Sequence, residues 1–278
     1  MSLLQDHVLI ITGSTSGIGL ATARAALSEG AKILGVDVSS GPESLPEGPN
    51  FKFLQRDLTD ADTHKDIVDT CIREFGGRID GLLNIAGIMD RNGSVDSLTD
   101  EMWDKCIAVN LTAPVKLMRA VIPTMRAQKS GSIANVGSKA ATSGAASGVA
   151  YTASKHGLIG ATKNVAWRYK QEGIRCNAVC PGGMKHPWFT NTLDRDLSLT
   201  CIPPGVPTGI VQASNPELWD KAALETMSPI HQAHASDRPK GLGVEPDDIV
   251  QCLLFLMSTH SRMINGAVIP VDNAWSVI

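Results

Sequence analysis

Short apolar runs recur along the chain, and a longer stretch of helical periodicity lies between most of them. The runs occupy residues 7–12, 32–37, 51–55, 80–85, 131–137, 174–180 and 266–271. The helical patterns lie near 17–29, 60–75, 111–129, 149–172 and 246–258. This rhythm predicts an α/β fold with a doubly wound parallel sheet and helices on both faces. Crossovers in such a sheet are right-handed, and ligands sit in the crevice at the carboxyl ends of the strands, near the reversal of strand order. Chemistry is therefore to be sought just after each strand.

With 278 residues and no linker-like low complexity, the chain reads as a single domain over 1–278. A net charge of -3 and a pI near 6.2 supply no long-range attraction for nucleic acid or an anionic membrane. The start, MSLLQDHV, lacks the pattern of a signal peptide, and no apolar run approaches the roughly 20 residues of a membrane helix. Cys71, Cys106, Cys176, Cys180, Cys201 and Cys252 form no CxxC and no metal-site spacing, so the reading is of buried free thiols. The expected partners are small molecules or other subunits, and the expected location is the cytoplasm.

The strand ends carry the chemistry. TGSTSGIG at 12–19 joins the first strand to an alanine-rich helix, which gathers backbone N–H groups and a positive helix end at one point. Gly13, Ser16, Gly17, Ile18 and Gly19 are thus candidates to cradle a phosphate; a plain surface turn is the alternative. About twenty residues on, Asp37 ends the second strand, where a carboxylate meets the ribose hydroxyls in dinucleotide folds. It repels a 2′-phosphate, and neighbouring Ser14, Thr15 and Ser16 offer no cation, which favours NAD over NADP. Asp37 can also simply begin a turn before SSGPES. Asp57 and Leu58 can flank an adenine ring, or Asp57 or Thr59 can cap a helix. After the fourth strand, NIAG supplies Asn84, Ala86 and Gly87, small residues at which a cofactor can approach the backbone.

Ser138 ends GSIANVGS, and YTASK places Tyr151 and Lys155 four residues apart on one helix face. Any helix can hold Tyr and Lys at that spacing by chance. Here the pair coincides with a serine at a strand end and with Asn110 in AVNLTAP.

Together these segments resemble the short-chain dehydrogenase/reductase family, a Rossmann-like fold, from Val8 to Asp272. The resemblance runs through TGSTSGIG, Asp37, Asp57 with Leu58, NIAG, the VN at 109–110, Ser138, YTASK and NAVCPGG at 177–183. It implies a catalytic tetrad of Asn110, Ser138, Tyr151 and Lys155, and adds Pro181, Gly182 and Met184 to the cofactor residues. A secondary alcohol surrenders hydride only as its hydroxyl proton leaves, so a base must lie within hydrogen-bond reach. Tyr151 is the candidate for that base. Its phenol ordinarily ionises near 10, and an adjacent Lys155 ammonium with an oxidised nicotinamide is expected to lower this. Ser138 would bond the substrate oxygen, Asn110 would keep a proton-relay water in place, and Lys155 would also hold the nicotinamide ribose. His186 stands where the family often has threonine, and DNAW at 272–275 replaces the usual acidic-glycine-glycine ending. The resemblance implies a homo-oligomer, a tetramer or dimer, which the altered tail leaves open.

Residues 184–240 form a long stretch with seven prolines and no clear strand. Its apolar content, Trp188 and Trp219 included, argues for an ordered lid. In the family this region covers substrate, which implies a bulky apolar alcohol or ketone such as a terpenoid, steroid or polyketide of secondary metabolism, with Ser138, Tyr151, His186, Trp188 and Trp219 as candidate substrate contacts. The alternative is that these side chains pack the lid itself or a subunit interface. His231 and His234 form HxxH without a third ligand, so no metal is expected. The expected function is NAD-dependent oxidation of a secondary alcohol or reduction of the ketone. A non-redox isomerase or cyclase, and a dinucleotide-sensing regulator, are the rivals.

Overall fold

The computed structural model describes residues 2–182, 210, 218–223, 225–227 and 244–277. Seven strands form one sheet: β1 (Val8–Thr12), β2 (Lys32–Asp37), β3 (Phe51–Gln55), β4 (Gly81–Asn84), β5 (Gly131–Val136), β6 (Ile174–Pro181) and β7 (Val268–Val271), in the order β3-β2-β1-β4-β5-β6-β7. Every neighbouring pair is parallel, with Ile10 of β1 opposite Leu34 of β2 and Leu82 of β4. The chain moves outward from β1 to β3 and returns to the other side of β1 with β4. Strand order therefore reverses between β1 and β4, and the crevice opens at their carboxyl ends.

Burial on both faces explains why the strand sequences are apolar at successive positions. Leu9 and Ile11 enter one core with Ile33 and Leu83, while Val8 and Ile10 enter the other with Leu34 and Leu82. The first core is closed by α1 (Gly17–Ser28) packed on α6 (Pro246–Met257). The second is closed by α2 (Thr63–Phe75) and α4 (Ala113–Gln128), while α5 (Val149–Tyr169) lies against β6. A one-residue slip in any inner strand would exchange the two sets of side chains.

One helix was not anticipated from the sequence. Helix α3 (Asp100–Ile107) starts where the Thr99 hydroxyl accepts from the Met102 amide at 3.2 Å, with Asp100 and Glu101 favourably placed at its positive end. It continues through a π turn, Ala108–Thr112, into α4, so the expected helix at 111–129 is the second half of a 29-residue helical stretch, Asp100–Gln128. That stretch is long and apolar enough to cross a membrane by length and composition, which reading for unbroken apolar runs passed over. Its apolar residues Leu117, Met118, Val121 and Met125 are fully packed into the second core, which accounts for its composition.

Most of the expected lid, 184–240, lies outside the described residues. Within it Trp219 is 5% exposed. The neighbouring Asp220 amide donates to the Arg91 carbonyl at 3.0 Å, and its carboxylate accepts from the Ser97 hydroxyl. Cys71, Cys106, Cys176 and Cys180 are buried free thiols and Cys252 is a half-buried one.

Candidate active site

The first loop is built by close approach. Gly13 has φ +71°, and a Cβ there would stand 3.0 Å from the Ala86 backbone at the end of β4. A Cβ at Gly19 would fall 1.9 Å from the Gly13 carbonyl oxygen, so only glycine lets α1 begin this close to the loop. Gly17 has φ +50°. Ser16 is the N-cap of α1 but its side chain makes no cap bond, and no acidic residue stands in the first turn. The positive end of α1 thus keeps the character of an anion site, and Ile18 is buried behind it. Thr12 bolts the two sides of the crevice together. Its hydroxyl oxygen accepts from the amides of Ile85 at 3.0 Å and Ala86 at 3.1 Å. Sequence reading passed over Thr12 because its partners are more than seventy residues away.

Asp37 serves the loop as well as the strand end. Its Oδ2 accepts from the Thr15 amide at 3.1 Å and the Thr15 hydroxyl at 2.7 Å, and its Oδ1 from the Ser39 amide at 3.0 Å. The turn reading and the ribose reading are therefore compatible in one carboxylate. Asp57 makes a local turn, accepting from the Thr59 amide at 2.8 Å and hydroxyl at 2.7 Å, while the N-cap of α2 is Asp62. Leu58 is buried in the second core. Asn84 donates to Asn135 Oδ1 at 2.8 Å, and Asn135 donates to the Thr162 hydroxyl at 2.8 Å, which ties β4 to β5 and α5.

The four candidate catalytic residues arrive from three elements. Ser138 follows β5, and its hydroxyl oxygen accepts from the Ala140 amide at 3.1 Å, which leaves its proton to give. Tyr151 and Lys155 lie on the first two turns of α5. The Ser138 hydroxyl faces the Tyr151 phenol, and the Lys155 ammonium stands 5.5 Å from the Tyr151 ring centroid. Lys155 is 3% exposed and donates to the Val136 carbonyl at 2.9 Å. A Cβ on Gly87 would meet Asn110 Oδ1 at 3.2 Å and Lys155 Nζ at 3.5 Å, so Gly87 forms the wall beside them. Asn110 sits in the π turn, a helix defect frequent at functional sites. Its Oδ1 accepts from the Ile88 amide at 2.9 Å, and its Nδ2 donates to the Ile88 carbonyl at 2.9 Å and lies 3.2 Å from the Ser154 hydroxyl. The Asn110 side chain is thus committed to joining the loop after β4 to α5.

The profile of the short chain dehydrogenase family matches residues 7–196. The chain belongs to the short-chain dehydrogenase/reductase family. It is 73% identical over 278 residues, 100% of both chains, to the short chain dehydrogenase adrF of Penicillium roqueforti. It is 60% identical, again over 100% of both chains, to asnovolin H dehydrogenase nvfC of Aspergillus novofumigatus. The crystal structure of levodione reductase superposes with a TM-score of 0.79 at 30% identity, covering 99% of each chain. The protein is an oxidoreductase of a family that acts on CH–OH groups with a nicotinamide dinucleotide.

The electrostatics of the enzyme's site differ from the sequence expectation in one respect. Burial pushes the Tyr151 phenol above its ordinary value, opposed by the Ser138 hydroxyl, with Asp90 adding to the rise. Burial also pushes Lys155 down to about 8. Burial thus opposes charge on both groups, and positive charge beside the phenol favours the phenolate. Asp90, fully buried, was missed by sequence reading; the available signals were an acidic residue three positions past NIAG and a helix start at Gly148 without a side-chain cap. Pro181 ends β6, and Gly182 is clamped by the tail: its amide donates to the Val271 carbonyl at 3.1 Å, and a Cβ on it would meet Asp272 Cβ at 2.5 Å. Trp275 is buried in the same tail, so DNAW packs within the chain. Met184, His186 and Trp188, with His231 and His234, lie outside the described residues.

Proposed function

We propose that the enzyme transfers a hydride between NAD(H) and a secondary alcohol or its ketone, and that its substrate is bulky and apolar, of terpenoid, steroid or polyketide type. The observation that carries the reading is the convergence of Ser138 and Lys155 on the Tyr151 phenol at the carboxyl ends of the strands.

Gly13, Ser16, Gly17, Ile18 and Gly19 would hold the pyrophosphate, Asp37 the adenosine ribose, and Ala86 with Gly87 the surface along which the cofactor lies. The glycine cradle and the uncapped α1 end fit such a group. When bound, the nicotinamide supplies or receives the hydride. Ser138 donates to the substrate oxygen and orients it. Tyr151 takes the hydroxyl proton in oxidation and returns it in reduction. Lys155 uses one N–H on Val136 and has two left, for the nicotinamide ribose and for holding positive charge near the phenolate. Asp37 supports NAD, because its carboxylate repels a 2′-phosphate. Support for a large apolar substrate comes from the apolar composition of 184–240.

The test is incubation with NAD and a panel of secondary alcohols graded in size, following the absorbance of reduced nicotinamide. Turnover with NAD that improves with apolar bulk is the expected result. Conversion of substrate with no net reduced nicotinamide would replace the reading with an isomerase or cyclase.

A further inference from the structure

We propose that Asp90 is the positioning residue of the catalytic helix, a remote N-cap for α5 that sets the place of Tyr151. The proposal rests on Tyr151 being the acid/base.

A helix leaves its first four N–H groups without intrahelical partners, and a Ser, Thr, Asp or Asn at the N-cap ordinarily serves one of them. Helix α5 has glycine there, Gly148, and no cap bond of its own. The partners come instead from the loop after β4. The Gly93 carbonyl accepts from the Val149 amide at 3.0 Å. Asp90 Oδ2 accepts from the Tyr151 amide at 2.8 Å, and its Oδ1 accepts from the Asn92 amide at 3.1 Å. Beside it the Ser147 hydroxyl donates to Asn92 Oδ1 at 3.2 Å. A Cβ on Gly148 would stand 2.5 Å from both Asp90 carboxylate oxygens, so the glycine is what admits the carboxylate. Asp90 is 1% exposed; burial pushes its carboxyl above the ordinary value, opposed by the amides at the positive end of α5.

The carboxylate therefore grips Tyr151 by its own backbone. The other side of that residue is held by the Ser154 hydroxyl, which donates to the Tyr151 carbonyl at 2.7 Å and lies 3.2 Å from Asn110 Nδ2. Asn110 in turn clamps Ile88, two residues before Asp90. One short loop thus fixes both Asn110 and Tyr151. A small displacement of a reacting group is expensive in rate: about 1 Å costs on the order of a hundredfold. Among the described residues, the titratable groups facing Tyr151 are Lys155, Cys106, Cys180 and Asp90, and Cys106 also faces Asp90.

The experiment compares wild type, Asp90→Asn, Asp90→Ala and Tyr151→Phe. It measures NAD dissociation by fluorescence, kcat and KM for cyclohexanol and larger secondary alcohols, thermal midpoint, and the near-ultraviolet phenolate titration. The chain has only two tyrosines, so subtracting the Tyr151→Phe titration isolates Tyr151. Asp90→Ala is expected to lose about tenfold to a hundredfold in kcat at unchanged NAD affinity. Asp90→Asn keeps one acceptor for the Tyr151 amide, so it should recover part of that loss, and Tyr151 should ionise at lower pH once the negative charge is gone. If Asp90→Ala does not fold, Asp90→Asn still decides through kcat and the titration. Wild-type kcat and an unmoved titration in Asp90→Asn, or loss of kcat only in proportion to unfolded protein, would overturn the proposal. Full turnover in Tyr151→Phe would instead overturn the assignment of the base.

Discussion

Asp37 holds Thr15 twice through one carboxylate oxygen, at 3.1 Å to the amide and 2.7 Å to the hydroxyl. The residue that would select the cofactor therefore also shapes the loop that would bind its phosphates. Wild type is expected to bind NAD at least about tenfold more tightly than NADP, equivalent to about 1.4 kcal/mol. Asp37→Ala should lose the preference while weakening NAD, because repulsion and loop support disappear together. Thr15→Val should weaken both cofactors and keep the preference. Titration of each variant with both cofactors separates the effects, and equal wild-type affinities would remove Asp37 as the selector.

Lys155 gives a stability prediction of definite sign. Its ordinary value is 10.5 and burial takes it to about 8, so between those values the unfolded chain binds more protons and stability rises with pH. Below about 8 the penalty is present in full, with an upper bound of roughly 3 kcal/mol. Lys155→Met should therefore gain about 1–2 kcal/mol at neutral pH after losing the Val136 bond, and the gain should shrink as the pH approaches 10. Turnover should vanish in the same variant. Urea denaturation across this range is the check, and a variant less stable than wild type at neutral pH would contradict it.

Two glycines should respond to alanine in opposite directions. At Gly19 the new Cβ would overlap the Gly13 carbonyl at 1.9 Å, so Gly19→Ala should cost about 2–4 kcal/mol and abolish NAD binding. At Gly160, on the exposed side of α5, a Cβ meets nothing within 4 Å. Gly160→Ala should stabilise by roughly 0.5–1 kcal/mol and leave turnover unchanged. Denaturant midpoints with matched NAD titrations measure both.

Trp219 is 5% exposed, next to the anchor that Asp220 makes to Arg91 and Ser97, and we expect its role to be packing. Trp219→Ala should cost about 3 kcal/mol and lower activity toward small and bulky alcohols alike. A rise in KM confined to bulky alcohols, with an unchanged melting temperature, would return Trp219 to the substrate surface.

What the sequence determined by itself is what local patterns encode. Alternating strand and helix periods specify the parallel sheet, because side-chain period follows backbone geometry within a few residues. TGSTSGIG marks the first crevice loop, since a helix start this close to a strand end admits only glycine at Gly13 and Gly19. YTASK puts Tyr151 and Lys155 on one face through helix pitch alone. Helix α3 was locally encoded too, by Thr99 and the acidic first turn, but its mostly exposed residues gave little apolar signal. Tertiary structure alone decided the remaining roles. Thr12 reaches Ala86 across 74 positions, Asp90 reaches Tyr151 across 61, and Asn110 reaches Ser154 across 44. A buried polar side chain must find a partner somewhere, and which one it finds depends on how the sheet brings distant loops together.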